Sequence, residues 1–303
     1  MGFNLYYAGS QSKKAEKLIE QHNLYRLLSY LNDKRDIVKR NEKGFLTFID
    51  SGAYSAHTKG AEVDIDDYIA YLNTNDEHIS ICAQLDKIPG TFGKPKTKEQ
   101  LLEAPEVSWV NYLYMIERMK SPEKLLPIFH QGEDMSNLHR MLEFEPKIQY
   151  MGISPANDMP TKAKEKWITE CFKIIADSPN PDVKTHAFGM TSLWVLERHP
   201  FTSADSTSWI MTGANGSVMT KFGVQLVSET GKGNPKHILN QPQAVQDAFV
   251  EYIEARGYTL EGLMEDYKDR IMFNVEYLKE WSDNYQYKPA QASQSKLFAP
   301  MGG

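Results

Sequence analysis

Cysteine is nearly absent from this sequence, with two residues, Cys82 and Cys171, among 303. They lie far apart, and neither belongs to a CxxC pair of the kind that structural zinc sites use. The sequence therefore argues against a disulfide framework and against a cysteine-based zinc site. We interpret both thiols as buried apolar side chains.

Long apolar runs are also missing, since none approaches the ~18 residues of a membrane span. The N-terminus lacks the basic-then-apolar pattern of a secretory signal. We therefore expect no membrane partner and a cytoplasmic location.

An excess of positive charge is lacking too. The formal net charge of −6 argues against broad nonspecific attachment to nucleic acid or to an acidic membrane. A local basic face is compatible with this net charge. Its residues would bind a nucleic-acid phosphate backbone only if they converged around one cleft. Its candidate residues are Lys94, Lys96, Lys98, Lys162, Lys164, Lys166, Lys232, Lys236 and His237.

The chain does contain apolar strand-like segments that alternate with helical patterns along most of its length. Its length and 41% hydrophobic content allow a sizeable core, in one large domain or two of average size. The strands predicted from apolar runs are Phe3–Ala8, Phe45–Asp50, Ile79–Leu85, Leu126–Phe129, Tyr150–Ile153, Lys184–Phe188 and Phe201–Ala204. The predicted helices are Ser12–Leu31, Ile65–Leu72 with Asp64 as its cap, Val107–Met119, Ser136–Phe144, Lys164–Ala176 and Thr191–Arg198.

Such alternation predicts parallel strands joined by right-handed crossovers. With an eighth strand expected between Trp209 and Val227, the units close an α/β fold of (β/α)8 TIM-barrel type. Two extra C-terminal helices are predicted over Pro242–Arg256 and Leu260–Tyr285, with an aromatic stripe that indicates packing. We expect a single catalytic domain over residues 1–285 and a disordered tail over 286–303.

The segment 45–55 combines a buried strand with a polar end. Asp50 stands where the strand meets the loop, Gly52 permits a tight turn there, and Tyr54 follows. Polar residues end the other predicted strands as well: Asp86, His130, Gln131, Ser154, His186 and Asp205. Any one aspartate alone could be the cap of the next helix. Together, at the shared rim of a barrel, they predict an active site.

Several carboxylates on one rim favour displacement at an anomeric carbon. One can attack the carbon while another, with a pKa raised by burial or by a like charge, transfers the proton. Tyr54 and Phe188 could sandwich a flat ring whose polar edge Gln131 and the Gly152 amide would read. This composition fits a planar heterocycle attached to a sugar. We interpret His130, His186 and His199 as hydrogen-bonded residues or substrate contacts and expect neither a metal nor a cofactor.

Six short motifs in order resemble those of the tRNA-guanine transglycosylases. Asp50-Ser-Gly-Ala-Tyr54 resembles their Asp-Ser-Gly-Gly-Tyr/Phe motif, and Leu85-Asp86 resembles Phe-Asp. The other matches, each with the family motif in brackets, are His130-Gln131-Gly132 (Val-Gln-Gly), Met151-Gly152-Ile153 (Gly-Gly-Leu), Phe188-Gly189-Met190 (Met-Gly-Val) and Ala204-Asp205-Ser206 (Phe-Asp-Cys). They span residues 45 to 206, and their order makes the resemblance fairly specific.

The resemblance implies base exchange by double displacement. Asp205 would be the nucleophile that forms a glycosyl-enzyme intermediate, and Asp50 the general acid/base. The base would be bound by Asp86, Gln131 and the Gly152 amide at its edge, by Tyr54 and Phe188 on its faces, and by Ser51 and the Ile153 carbonyl beside it.

The chain departs from the tRNA enzymes in lacking their CxCxxC zinc subdomain and the Pro-Thr-Arg run after the nucleophile. It is therefore more similar to the zinc-less DNA-guanine transglycosylases of bacteriophages and bacterial DNA-modification islands. That resemblance implies DNA and a free 7-deazaguanine base, such as 7-cyano-7-deazaguanine, as partners, with the bacterial host cell as location if a phage encodes the chain. The alternatives are a zinc-less tRNA-guanine transglycosylase, a non-catalytic nucleic-acid-binding barrel subunit, and an unrelated TIM-barrel hydrolase with two carboxylates.

Overall fold

Among the residues that the structure describes, nine parallel strands form one sheet whose two ends nearly meet. The computed structural model describes residues 3–9, 17, 19–22, 24–31, 46–90, 94–95, 97–190 and 192–289. The strands of the sheet are β1 (Asn4–Ala8), β2 (Tyr25–Ser29), β3 (Thr47–Asp50), β4 (Ile81–Ala83), β5 (Leu125–Leu126), β6 (Ile128–His130), β7 (Tyr150–Ser154), β8 (Lys184–Ala187) and β9 (Ser203–Ser206).

The strand order closes the sheet into a barrel. Neighbouring strands follow the order β5-β4-β3-β2-β1-β9-β8-β7-β6. β5 pairs with β4 and β6 pairs with β7, so residues 125–130 bridge the two edges. Only Pro127 separates β5 from β6, because a proline has no N–H to donate to the ladder. Counted as one interrupted strand, they give eight positions and confirm the predicted TIM-like α/β barrel.

Helices lie outside the barrel and follow most of its strands. Their bounds are α1 (Ala53–Lys59), α2 (Ile65–Thr74), α3 (Lys98–Ile116), α4 (Met135–Glu143), α5 (Thr161–Ala176), α6 (Leu193–Arg198) and α7 (Ser208–Ala214). The predicted cap of α2 is confirmed, since Asp64 Oδ1 accepts a hydrogen bond from the Asp67 N–H at 2.9 Å. α3 begins earlier than predicted because Thr97 and Gln100 form a capping box ahead of it.

Large side chains fill the barrel interior. Successive strand residues point to opposite faces, so Tyr6 points inward while Leu5 and Tyr7 pack outward beneath the helices. The buried inward cluster comprises Tyr6, Phe48, Ile81, Ala83, Leu126, Ile128 and Tyr150. Because this interior is packed, a substrate has room only at an end of the barrel.

The predicted helix over Ser12–Leu31 is wrong in its second half, where β2 lies. Residues 17 and 19–21 are helical, and residues 10–16 lie outside the described part of the chain. The leucines have helical spacing. Leu28 nevertheless packs between the barrel and its helices while the next-door Leu27 packs against the barrel interior, so successive side chains point to opposite faces as in a strand. Tertiary contacts thus override the local pattern.

The eighth barrel strand does not lie between Trp209 and Val227, as the sequence predicted. That stretch contains α7 and an antiparallel hairpin of β10 (Ser217–Thr220) and β11 (Gly223–Leu226), which forms a separate two-stranded sheet. The missing barrel position is β2. The hairpin is held to the C-terminal helices, since the Asn274 side chain accepts a hydrogen bond from the Met219 N–H at 2.7 Å.

After the hairpin, the described part of the chain forms three more α-helices: α8 (Gln243–Glu254), α9 (Leu260–Glu265) and α10 (Tyr267–Asp283). The predicted helix Leu260–Tyr285 is divided at Asp266, whose side chain caps α10. Trp281 and Tyr285 pack against Phe3 with ring centroids 5.4 and 4.3 Å away, which confirms aromatic packing. Residues 290–303 of the predicted tail lie outside the described residues. In the described chain, no helix has the length and apolar character to cross a membrane.

Candidate active site

Three aspartates lie together at the carboxyl-terminal end of the barrel. Asp50 ends β3, Asp205 lies within β9, and Asp86 follows β4. Burial is the main cause that raises the pKa of Asp50, and the charge of Asp205 adds to it. Burial followed by the charge of Asp50 likewise raises the pKa of Asp86. The structure thus brings together three carboxyl groups that the sequence placed at strand ends.

Asp205 is held through one of its two carboxylate oxygens. Its Oδ1 accepts a hydrogen bond from the Gly189 N–H at 2.8 Å and lies 3.3 Å from His186 Nε2. In the described chain no group donates to Oδ2. Its side chain is 11% exposed. This places an oriented carboxylate with one uncommitted oxygen at the rim.

Asp50 is suited to proton transfer near neutral pH. Its Oδ2 accepts a hydrogen bond from the Gly52 N–H at 3.0 Å, which opposes the effect of burial. Burial and the Asp205 charge nevertheless raise the pKa of Asp50 to about 6. A carboxyl group with such a pKa exchanges its proton readily under physiological conditions.

The turn after Asp50 requires glycine. Gly52 has φ of 80°, in the left-handed region that side chains disfavour. A Cβ there would lie 2.7 Å from Leu31 Cβ and 2.9 Å from Ser29 Oγ. The predicted tight turn at Gly52 is therefore confirmed, and the contacting side chains belong to the last residue of β2 and to the segment that follows it.

Asp86 is buried and pairs with the partly exposed His130. Its Oδ2 is 3.0 Å from His130 Nε2, and the Ser51 hydroxyl donates to the carboxylate. Ser51 is fully buried and also accepts a hydrogen bond from the Ala53 N–H at 3.3 Å. Burial and the Asp50 charge raise the pKa of Asp86 to about 7, so this group can either donate to or accept from a ligand.

Glu133 is a fourth acidic group that the sequence analysis missed. Its Oε1 accepts a hydrogen bond from the His130 N–H at 3.3 Å. Burial, with a smaller contribution from the charge of Asp86, raises the pKa of Glu133 to about 8. The available signal was its position two residues after Gln131, in the loop that leaves β6.

Phe188 rests directly on Gly152. A Cβ on Gly152 would lie only 2.4 Å from Phe188 Cε2, so the absence of a side chain there makes room for the ring. The Phe188 ring also packs edge-on against His186 and Phe48, with centroids 4.6 and 5.7 Å away. Phe188 is thus a half-buried aromatic surface fixed at the rim.

The backbone of β7 is committed to the barrel ladder. The Gly152 N–H donates to Pro127 O at 2.8 Å, and the Phe188 N–H donates to Ile153 O at 3.0 Å. The expectation that the Gly152 amide reads a base does not fit this pairing, because its single donor is already used. The Ile153 carbonyl retains a second lone pair.

Gln131 and Tyr54 lie at the same end of the barrel. The Gln131 side chain is held by a hydrogen bond to the protein, whereas the Tyr54 side chain is exposed. Gln131 Oε1 accepts a hydrogen bond from the Ala156 N–H at 3.0 Å, which leaves its Nε2 as the group to face a ligand. Tyr54 lies in the first turn of α1 and is 53% exposed. Its ring is therefore accessible for stacking.

The histidines named from the sequence occupy three different environments. His130 pairs with Asp86, and His186 lies beside Asp205. His199 lies between α5 and α6, where Nε2 is 2.9 Å from Thr169 Oγ1 and Nδ1 is 2.9 Å from Val195 O. Among the residues that the structure describes, no group of three acidic, histidine or cysteine side chains could hold a metal ion.

Two of the candidate basic residues are not fully exposed: His237 is buried in its loop, and Lys164 is half-buried. Lys98 and Lys162 are exposed in the first turns of α3 and α5. Both helices follow strands that end at the site, so these turns lie on its side of the barrel. Lys96 lies outside the described residues.

No protein-family model matches the chain, and no curated protein matches its sequence.

Proposed function

We propose that this protein is a DNA-guanine transglycosylase, which exchanges guanine in DNA for a 7-deazaguanine base through a glycosyl-aspartate intermediate. One relationship carries the proposal: Asp205 is anchored through Oδ1 beside Asp50, a half-buried acid whose pKa is raised to about 6. An oriented carboxylate next to a proton carrier is the arrangement that double displacement at a sugar carbon requires.

In the first displacement, an oxygen of Asp205 forms a bond to C1′ of the target nucleotide. The C1′–N9 bond breaks, and its electron pair leaves with guanine, which takes the proton of Asp50. Asp50 acts here as a general acid, so it must be protonated when the base departs.

In the second displacement, N9 of the incoming base attacks C1′ and releases the Asp205 carboxylate. The proton of that N9 passes to Asp50, which acts as a general base and returns to its starting state. No proton or electron is left over, so the exchange needs no cofactor.

The rim offers groups for a flat base with a polar edge. Phe188 and the exposed ring of Tyr54 supply aromatic faces, while Asp86 and the Gln131 side-chain N–H supply hydrogen-bonding groups. A target guanine must leave the DNA stack, which costs a few kcal/mol that stacking and edge contacts have to offset. The exposed Lys98 and Lys162, near the positive ends of their helices, favour a phosphate backbone along this side.

Base exchange is tested by incubating the protein with duplex DNA, single-stranded DNA or tRNA and a radiolabelled 7-deazaguanine base. We expect label in DNA, with one guanine released for each base incorporated. Label in tRNA but not in DNA would support the zinc-less tRNA enzyme instead. Release of guanine without incorporation would indicate a hydrolase.

The product is tested in cells that express the protein and receive 7-deazaguanine precursors. Mass spectrometry of nucleosides from their DNA should show a 7-deazaguanine deoxynucleoside that is missing when Asp205→Asn is expressed instead.

A further inference from the structure

A chain of hydrogen bonds runs beneath Asp205 into the barrel interior. Tyr150 Oη lies 2.6 Å from Ser203 Oγ, and Ser203 Oγ lies 2.6 Å from His186 Nδ1. His186 Nε2 then lies 3.3 Å from Asp205 Oδ1. His186 and Ser203 are fully buried, and Tyr150 is 8% exposed.

Tyr150 and Asp205, the first and last groups in this series of hydrogen bonds, fix which atom donates in each bond. Burial raises the pKa of Tyr150 to about 12, so its hydroxyl keeps its proton and donates to Ser203. Burial lowers the pKa of His186, although Asp205 opposes this, which favours a neutral ring with one N–H. As the nucleophile of the proposed reaction, Asp205 acts as a carboxylate, which only accepts hydrogen bonds, so the N–H facing it must be on Nε2. Nδ1 then accepts a hydrogen bond from the Ser203 hydroxyl.

We propose that Tyr150 and Ser203 fix His186 in its Nε2-protonated tautomer, so that His186 and the Gly189 N–H together hold Asp205 Oδ1 and leave Oδ2 as the attacking oxygen. This inference rests on the proposed function and assigns a positioning role to three residues that the reaction itself does not use.

His186 is not a catalytic acid or base in this arrangement. Both of its ring nitrogens are engaged inside the barrel, and its side chain is inaccessible to a substrate. Its contribution is to orient the Asp205 carboxylate. The bond from Oδ2 to C1′ then forms as the C1′–N9 bond breaks and guanine leaves with the electron pair. With the other tautomer, the Nε2 lone pair would face the carboxylate and repel it.

The hydrogen bonds from Tyr150 through Ser203 to His186, which we call the relay, are tested with Ser203→Thr and Ser203→Val. The two substitutions add nearly the same volume but differ in the hydroxyl. Both share any cost of overpacking, so their difference isolates the hydrogen bond. The first-order rate of covalent adduct formation at saturating DNA should be about tenfold higher for Ser203→Thr than for Ser203→Val. Tyr150→Phe should also lower this rate, whereas Tyr7→Phe, its matched control, should not. Tyr7 likewise has a buried hydroxyl that donates a hydrogen bond, to Val275 O, but it lies outside the barrel interior.

The tautomer is measured directly by two-dimensional 1H–15N NMR of the imidazole groups, without DNA. The His186 signals are assigned by their loss in His186→Gln. We expect the Nε2-protonated pattern in the wild-type protein and in Ser203→Thr, and its loss or mixture in Ser203→Val.

An Nδ1-protonated His186 in the wild-type protein would overturn the proposal, and so would equal adduct rates for the two Ser203 variants. If the wild-type protein forms no adduct with DNA, the proposed function fails, and the NMR pattern alone then decides whether the relay fixes the tautomer.

Discussion

The negative charge of Asp205 reaches Asp50 and adds to the effect of burial, which together raise the pKa of Asp50 to about 6. The two residues lie on β9 and β3, which are separated in the sheet by β1 and β2. Closure of the barrel therefore brings two carboxyl groups that are far apart in the sequence close enough for the charge of one to affect the pKa of the other. The proposed proton carrier thus has its pKa raised first by burial and then by the charge of the proposed nucleophile.

The first prediction concerns the pH dependence of adduct formation. Because Asp50 must be protonated to assist the leaving base, the single-turnover rate should fall by about tenfold per pH unit above pH ~6. Asp50→Asn should lower the rate by about 10²–10⁴-fold and remove this dependence. Rapid-quench measurements from pH 5 to 9 test both statements.

The control for this substitution is Asp134→Asn. Asp134 is exposed and caps α4 by accepting a hydrogen bond from the Ser136 N–H, which an asparagine also does. Its rate and pH profile should match those of the wild-type protein. An Asp50→Asn protein with the wild-type profile would exclude Asp50 as the proton carrier.

The second prediction concerns stability and Asp86. Because burial and Asp50 raise the pKa of Asp86 from 3.8 to about 7, the folded state binds more protons than the unfolded state between these values. Stability should therefore fall as pH rises from 4 to 7. Asp86→Asn resembles the protonated group and should be more stable than the wild-type protein at pH 8 by on the order of 2–4 kcal/mol.

Urea unfolding at pH 4 and pH 8 measures this difference, which should nearly vanish at pH 4. A variant that is less stable than the wild-type protein at pH 8 would show that Asp86 gains more from its partners as a carboxylate than it loses by burial.

The third prediction concerns Gly152. The Cβ of Gly152→Ala would displace the Phe188 ring, so we expect a stability loss of about 1–3 kcal/mol and weaker binding of guanine. Adding Phe188→Leu should restore part of the stability but not the affinity. Gly233→Ala is the control, because no atom lies within 4 Å of a Cβ there. Additive losses in the double variant would argue against the steric contact.

The fourth prediction concerns the exposed ring of Tyr54. Tyr54→Ala should weaken binding of a 7-deazaguanine base about tenfold or more, because stacking on an aromatic ring contributes ~1–3 kcal/mol. Tyr54→Phe should retain the affinity, and neither variant should unfold more easily, since the side chain is 53% exposed. Tyr287→Ala, at a similarly exposed ring, is the control. Calorimetry would contradict stacking if both alanine variants bound the base equally.

The strand-end carboxylates could be predicted because two levels of pattern agreed. Apolar runs located β3 and β9, and the alternation with helices required their carboxyl ends to share a rim. Asp50 and Asp205 then had to lie on the same side of the barrel. This inference needed no detailed geometry, only the direction of the strands.

β2 could not be predicted, because its leucines also fit a helix. Its burial depends on long-range contacts: Arg26, fully buried within it, donates to Tyr7 O at 2.6 Å and Gly9 O at 3.1 Å. These partners belong to β1 and the residue after it, so the local sequence does not reveal them. The pairing of Gly152 with Pro127 and the pKa of Glu133 were hidden for the same reason.

The central claim is that Asp205 becomes covalently attached to C1′ of the DNA. The direct measurement is mass spectrometry of the protein after mixing with a guanine-containing oligonucleotide and quenching in denaturant. We expect a mass increase equal to the mass of the oligonucleotide minus that of guanine, located on the peptide that contains Asp205 and absent from Asp205→Asn. An adduct on another residue, or wild-type exchange activity in Asp205→Asn, would contradict it.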